Sequence, residues 1–141
     1  MKTVVGYYVV DIMDIFYTIF MFMVSHFFAD WVMQSRKMAE NKSKSWYWLS
    51  LHVLVYTVVF TFNSFIIFHD LFNIETEYIL YFGLINGALH FITDAITSRF
   101  TTHYYTTGKM KAFWTTIGFD QLIHQTCIFV TLYYLLTYGT L

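Results

Sequence analysis

Residues 46–68 read WYWLSLHVLVYTVVFTFNSFIIF and contain no Asp, Glu, Lys or Arg. A helix needs about 20 apolar residues to cross a bilayer, so this stretch is long enough to span one. No proline interrupts it, because the chain contains none. In lipid, the need for internal backbone hydrogen bonds outweighs the strand preference of its many Val and Phe residues. The stretch therefore predicts a transmembrane helix.

Three further apolar stretches have the same character, over about 10–34, 78–99 and 112–138. The chain of 141 residues is 57% hydrophobic and only 12% charged, whereas a soluble domain carries about twice that charged fraction. The apolar content excludes disorder, and the single cysteine excludes a disulfide scaffold. A net charge of −1 offers no basic surface for nucleic acid. We predict an all-α polytopic membrane protein, with residues 1–141 forming one domain of four transmembrane helices.

The basic residues lie mainly in two loops, 35–45 and 99–111. The positive-inside rule predicts that both loops are cytoplasmic and that both termini lie outside the cytoplasm, in a membrane of the bacterial inner-membrane type. Such a bundle has the lipid bilayer as its first partner. Four short spans are also compatible with a homo-oligomer.

Ionisable side chains occur at a similar depth in all four predicted spans, in the half nearer the basic loops. Three Asp–His pairs are four residues apart, which places each pair on one helix face. Without a cation, the burial of so many polar and charged groups would cost folding free energy. A bound divalent metal would offset that cost by neutralising the carboxylates and coordinating the imidazoles. Mixed nitrogen and oxygen ligands favour zinc, with manganese or iron as alternatives, and one or two ions. The candidate metal ligands are His26, Asp30, His52, His90, Asp94, Asp120 and His124.

Other residues are assigned supporting roles. The carboxylates with candidate catalytic roles are Asp30, Asp94 and Asp120. The amides expected to orient the ligands are Gln34, Asn86 and Gln121. The cations placed to attract an anionic headgroup are Arg36, Lys37, Lys42 and Arg99. Gly83 and Gly87 form a G-x-x-x-G, whose ordinary meaning is close helix packing.

The motifs in this chain are His26-x3-Asp30-Trp31-x2-Gln34, Asn41-Lys42, Leu51-His52, His90-x3-Asp94 and Asp120-Gln121-x2-His124. Their combination resembles a bacterial and phage membrane family catalogued as domain of unknown function (DUF) 3307. The resemblance extends from Ser25 to His124 and implies a shared site without naming a reaction. A looser similarity, at the level of the fold, links the chain to inner-membrane metal-dependent hydrolases.

These observations favour a membrane-embedded, metal-dependent hydrolase that acts at the cytoplasmic leaflet on a phosphate-containing lipid or similar amphiphile. The metal would acidify water and polarise the substrate, while a spare Asp or His would act as general base. A transporter or channel for divalent cations or protons is one alternative, although the outer halves of the spans offer few polar residues. A structural or interaction protein stapled by its metal is the other. A redox di-metal bundle is disfavoured because the usual Glu-x-x-His spacing is absent.

Overall fold

The computed structural model describes residues 2–5, 8–72 and 74–138. From Ile12 onward its regular structure is helical, which confirms the predicted all-α architecture. The first helix continues directly into a π-helical turn, and a short helix then leads into three long ones. The elements are α1 (Ile12–Phe27), the π-turn (Phe28–Val32), α2 (Arg36–Asn41), α3 (Trp46–Leu71), α4 (Thr76–Thr106) and α5 (Met110–Tyr138).

Local sequence explains where several helices begin and end. Asp11 caps α1, because its side chain accepts a hydrogen bond from the backbone N–H of Met13. Ser35 caps α2 in the same way by accepting from Met38 N–H. The turn between α4 and α5 contains Gly108 at a φ of 71°, a left-handed conformation that favours glycine. This tight turn makes α4 and α5 antiparallel neighbours.

Within the described residues, three helical segments are long and apolar enough to cross a membrane, namely Ile12–Val32, Trp46–Phe68 and Thr76–Thr106. The predicted fourth span, 112–138, does not meet this criterion of length and composition. Helix α5 has sufficient length, with 29 residues, but polar side chains such as Asp120, His124 and Gln125 reduce its mean hydropathy. Length and composition alone therefore assign three spans.

Two short antiparallel strands precede the bundle, β1 (Lys2–Val5) and β2 (Tyr8–Asp11). This hairpin was not anticipated from the sequence, in which the first predicted span begins at about residue 10. The β-branched residues of the TVV and YVV runs account for the extended backbone, because such residues favour strands.

The bundle core has two chemically different halves. Helix α4 packs against both α3 and α5, and α1 lies against α3. In the half away from α2, aromatic rings fill the core, and Phe22 lies 5.2–5.5 Å, between ring centroids, from Phe60, Phe68 and Phe82. In the half nearer α2, the core is polar. Large apolar side chains such as Phe20 cover the outside of the helices, as expected for a surface that meets lipid.

Candidate metal centre

Four buried side chains converge at the centre of the polar half. They are Asp30 from the π-turn, His52 from α3, and His90 and Asp94 from α4, and each is at most 3% exposed. One ligand atom from each lies within 4.8 Å of the other three. The two histidines face each other, with 3.1 Å between their Nε2 atoms.

Five of the six separations in this group are 3.1–3.8 Å, close to those of a tetrahedral ligand set. Asp30 Oδ1 lies 3.2 Å from His52 Nε2 and 3.5 Å from His90 Nε2. Asp94 Oδ2 lies 3.1 Å and 3.8 Å from the same two atoms. Bonds of 2.0–2.1 Å to a tetrahedral zinc would separate neighbouring ligand atoms by about 3.3 Å. The four donors could therefore hold an ion without large rearrangement.

Helix packing positions the two facing histidines. An added Cβ at Gly87 would lie 2.2 Å from Thr57 Oγ1, and one at Gly83 would lie 1.9 Å from Thr61 Oγ1. The two glycines therefore admit the threonines of α3 into close contact with α4, as the G-x-x-x-G predicted. This approach brings α3 near enough to α4 for His52 to meet His90.

A π-helical turn positions Asp30. The turn widens the helix after α1, and π-turns of this kind are frequently found at functional sites. Asp30 Oδ2 lies 3.8 Å from His26 Nε2, one turn earlier. The i, i+4 spacing predicted this proximity, whereas the π-turn itself was not anticipated.

Helix α5 brings His124 and Asp120 against the group. His124 Nε2 lies 3.9 Å from Asp94 Oδ1, and the rings of His124 and His90 stack at 4.2 Å between centroids. Asp120 Oδ1 accepts a 2.5 Å hydrogen bond from Thr97. Gln121 donates to both Asp120 Oδ2 and Asp30 Oδ2, at 3.1 and 3.3 Å. All seven predicted ligands thus lie in one continuous cluster, which is buried except for the partly exposed Asp120.

Lys42 reaches into this cluster from the end of α2. Its Nζ lies 2.6 Å from Asp94 Oδ2 and 3.4 Å from His52 Nε2. Burial acts to lower the pKa of Lys42, but the carboxylates of Asp94 and Asp30 outweigh it and raise the pKa above the ordinary value. Lys42 therefore stays a cation at neutral pH. We expected it to face a lipid headgroup, whereas the structure places it in contact with a candidate ligand.

The other predicted headgroup cations lie apart from the cluster. Arg36 is exposed and pairs with Glu40 at 2.6 Å, which raises the Arg36 pKa. Lys37 is also exposed. Arg99 donates to the Ala95 carbonyl and stacks over the Trp46 ring, 4.4 Å from its centroid.

The predicted supporting amides have different surroundings. Gln121 contacts two cluster carboxylates, as described above. Gln34 lines the cavity next to Asp30, and its Oε1 is buried without a partner in the described residues. Asn86 instead hydrogen-bonds Thr131 at 2.9 Å and the Phe82 carbonyl. Its amide is therefore engaged with α5 and its own helix rather than placed to hold the ring of His90.

Two further residues, Tyr56 and Thr97, contact the cluster although no sequence motif pointed to them. Tyr56 stacks on His90 with 3.9 Å between ring centroids, and its hydroxyl lies 3.5 Å from His26 Nδ1. Thr97 holds Asp120 across the α4–α5 interface. Tyr56 follows His52 by one helical turn and Thr97 follows Asp94 by three residues, so helical spacing could have identified both.

The cluster carries unsatisfied polar atoms and an excess of negative charge. Among the described residues, His26 Nε2, Asp30 Oδ1 and both ring nitrogens of His124 are buried without a hydrogen-bond partner. With neutral imidazoles, the three carboxylates and Lys42 leave two negative charges. Buried orphan donors and acceptors are costly, and a divalent cation would satisfy both deficits. The residues present therefore fit a bound metal.

A cavity of about 260 Å³ adjoins the cluster on the side of α2. Asp30, Asp94, Asp120 and Lys42 contribute polar groups to its wall, while Trp31 and other residues contribute apolar surface. The cavity is large enough for several waters or a small polar group. Candidate ligands and a candidate acid–base residue thus face one common space.

Comparison with known proteins provides a family but not an activity. No curated protein and no solved structure matches the chain. Residues 18–140 match the family described as "Protein of unknown function (DUF3307)". Because this match extends over most of the sequence and includes every residue of the buried cluster, the chain belongs to the DUF3307 family.

Proposed function

We propose that this protein is a membrane-embedded, metal-dependent hydrolase whose site opens towards the cytoplasmic leaflet. The observation that carries the proposal is the set of four donor atoms at tetrahedral separations beside a polar cavity. Asp30, His52, His90 and Asp94 would hold the ion. When bound, a divalent metal supplies a Lewis acid that polarises a phosphoryl or ester oxygen and acidifies water.

Asp120 is the best candidate for general base. It lines the cavity but does not belong to the four-residue group. Thr97 and Gln121 hydrogen-bond its two oxygens, which fixes the orientation of the carboxylate. A positioned carboxylate within reach of cavity water can accept a proton during hydrolysis.

Lys42 is the best candidate for binding an anionic substrate. Of the four cations assigned to a headgroup, it is the one that lines the cavity. An ammonium near the reacting atoms would attract a phosphate and stabilise negative charge that develops on it. A phosphate-containing lipid or similar amphiphile fits a site at this depth, because its headgroup would lie near the basic loops while its chains remain in the bilayer.

Membrane placement is part of the proposal. We assign α5 as a fourth span, because it packs along α4 over a comparable length and completes the cluster with Asp120 and His124. The basic loops around α2 and Gly108 would then lie in the cytoplasm.

Packing argues against the transport alternative. Beyond the cluster, the described core is filled by Phe22, Tyr56, Phe60, Phe68 and Phe82, each at most 3% exposed. A transport route through one subunit needs polar groups or water across the bilayer. These packed rings separate the cluster from the opposite end of the bundle.

The test uses the full chain in liposomes of phosphatidylglycerol and phosphatidylethanolamine, loaded with Zn²⁺ or Mn²⁺. Phosphorus NMR and mass spectrometry would detect headgroup release. We expect turnover in the wild type, a loss of at least 100-fold in Asp120→Asn with bound metal retained, and unchanged turnover in Glu40→Gln, which alters an exposed carboxylate on α2.

Bound metal without hydrolysis of any phospholipid or phosphate ester tested would refute the hydrolase and favour the metal-stapled structural protein. Metal uptake into the liposomes would favour transport. Zinc would be identified as the resident ion if the protein purified without added metal contains it.

A further inference from the structure

We propose that the cluster holds two metal ions, bridged by Asp30 and Asp94. This inference deepens the proposed function and rests on the first metal position described above. The second position would use the remaining carboxylate oxygens together with His26 and His124.

The two bridging candidates divide their oxygen atoms in the same way. Asp30 directs Oδ1 towards His52 and His90 and Oδ2 towards His26. Asp94 directs Oδ2 towards His52 and His90, and Oδ1 towards His124. Each carboxylate thus directs one oxygen towards His52 and His90 and the other towards a further histidine, His26 for Asp30 and His124 for Asp94. This is the arrangement expected of a bridged centre.

The second pair of histidines is placed as ligands would be. His26 Nε2 and His124 Nε2 are buried and have no hydrogen-bond partner among the described residues. Their ring centroids are 5.2 Å apart, and donor atoms of His26, Asp30 and His124 lie within 4.8 Å of one another.

The other ring nitrogens of this pair face outer groups. His26 Nδ1 lies 3.5 Å from the Tyr56 hydroxyl, and His124 Nδ1 lies 3.7 Å from Asp120 Oδ2. Metal-bound histidines commonly have a group of this kind at the second ring nitrogen, which leaves the opposite nitrogen for the ion. Tyr56 is in weak contact with His26, and the Asp120 carboxylate lies close to His124 but beyond hydrogen-bond distance. The pattern therefore points both Nε2 atoms into the cluster.

Each position would have two imidazole nitrogens and two carboxylate oxygens, a donor set that suits Zn²⁺, Mn²⁺ or Fe²⁺. The pairing also has a chemical consequence. One divalent ion neutralises the two excess negative charges of the cluster, and a second adds two positive charges, which a phosphate group would balance. Paired ions about 3.5–4 Å apart stabilise both the attacking and the leaving oxygen of a phosphoryl displacement.

Metal content of the purified full chain tests the inference. After loading with Mn²⁺ and removal of free ion, mass spectrometry should find about two ions per wild-type chain. The His26→Ala, His124→Ala double variant should retain about one. His103→Ala, which alters an exposed histidine outside the cluster, should retain the wild-type content. Electron paramagnetic resonance of the wild type should show two spin-coupled Mn²⁺ ions, and the double variant a single uncoupled ion.

The outcomes separate this inference from the proposed function. One ion per wild-type chain, unaffected in the double variant, would overturn the second position and leave the first intact. No bound ion in the wild type would overturn both. Two uncoupled ions would refute bridging by Asp30 and Asp94, and this spectrum requires only the wild-type protein, so it remains decisive if a variant fails to fold.

Discussion

Substitution of Gly87 by alanine is expected to weaken metal binding although residue 87 contacts no ligand atom. Gly87 lies three residues before His90 on α4, where Thr57 of α3 packs against it. If the close contact between these helices brings His52 and His90 together, one added methyl group should disturb the centre.

The structure sets the size of the effect. The new Cβ would lie 2.2 Å from Thr57 Oγ1, 3.1 Å from its Cγ2 and 3.2 Å from its Cβ. If α3 and α4 move apart to relieve this clash, they must separate by about 1 Å, well beyond the roughly 0.2 Å tolerance of metal–ligand distances. Relief by rotation of Thr57 would break its 2.8 Å hydrogen bond to the Val53 carbonyl, at about 1 kcal/mol. We expect the metal Kd to rise about 10–100-fold, as for changes in groups that orient ligands.

Calorimetric titration of the metal-free protein in detergent would measure the Kd. The matched variant is Gly87→Ala combined with Thr57→Ala, which removes Oγ1 and Cγ2 and leaves a single 3.2 Å contact. This pair should recover most of the lost affinity. Gly118→Ala is the control, because a Cβ there would meet nothing within 4 Å.

An unchanged Kd in Gly87→Ala, with circular dichroism and melting like the wild type, would refute the claim that this packing sets the geometry of the centre. A loss of affinity that Thr57→Ala fails to restore would show that the methyl acts by another route.

Three other substitutions test separate parts of the site and the fold. Lys42→Met should tighten metal binding, because it removes a cation that contacts a candidate ligand oxygen, Asp94 Oδ2. It should also lower turnover about 100-fold, because the substrate phosphate loses an ammonium partner. Weaker metal binding would contradict the placement of Lys42 as a competitor of the ion. Thr97→Val should lower the free energy of unfolding by about 1 kcal/mol, because Asp120 loses a hydrogen-bond donor, and denaturation showing no change would disprove that contribution. Phe22→Ala should lower the free energy of unfolding by at least about 2 kcal/mol, because it leaves a cavity among packed rings. Phe20→Ala alters a side chain that is 61% exposed and should lower it by less than about 0.5 kcal/mol. Equal melting temperatures of the two variants would contradict the assignment of Phe22 to the core and Phe20 to the surface.

Helix type and the composition of the polar layer were predictable from the chain alone. Long apolar stretches without proline form helices, and residue spacing assigns each Asp–His pair to one face. Depth could be estimated because an α-helix rises by 1.5 Å per residue. The estimated depths predicted that His52 and His90 lie in the same layer of the bundle, and the structure places their Nε2 atoms 3.1 Å apart.

Other features depended on contacts between segments distant in sequence. In the sequence, Lys42 cannot be told apart from an ordinary basic residue of a loop. Only the packing of α2 against the bundle brings it to Asp94, 52 residues away. The amide of Asn86 was expected near His90, one turn away, but α5 offers it Thr131. The apolarity of α5 was overestimated because the same polar residues that complete the cluster reduce its hydropathy.

The sequence by itself determined the helices, the faces on which the acids and histidines lie, and the layer that they share, because backbone periodicity and the cost of buried charge act locally. Only the tertiary structure decided which carboxylate oxygen of Asp30 and Asp94 faces which histidine nitrogen. The π-turn at Asp30 and the contacts of Gly83 and Gly87 with α3 set those directions. Metal geometry depends on tenths of an ångström, and that precision arises where packed helices meet.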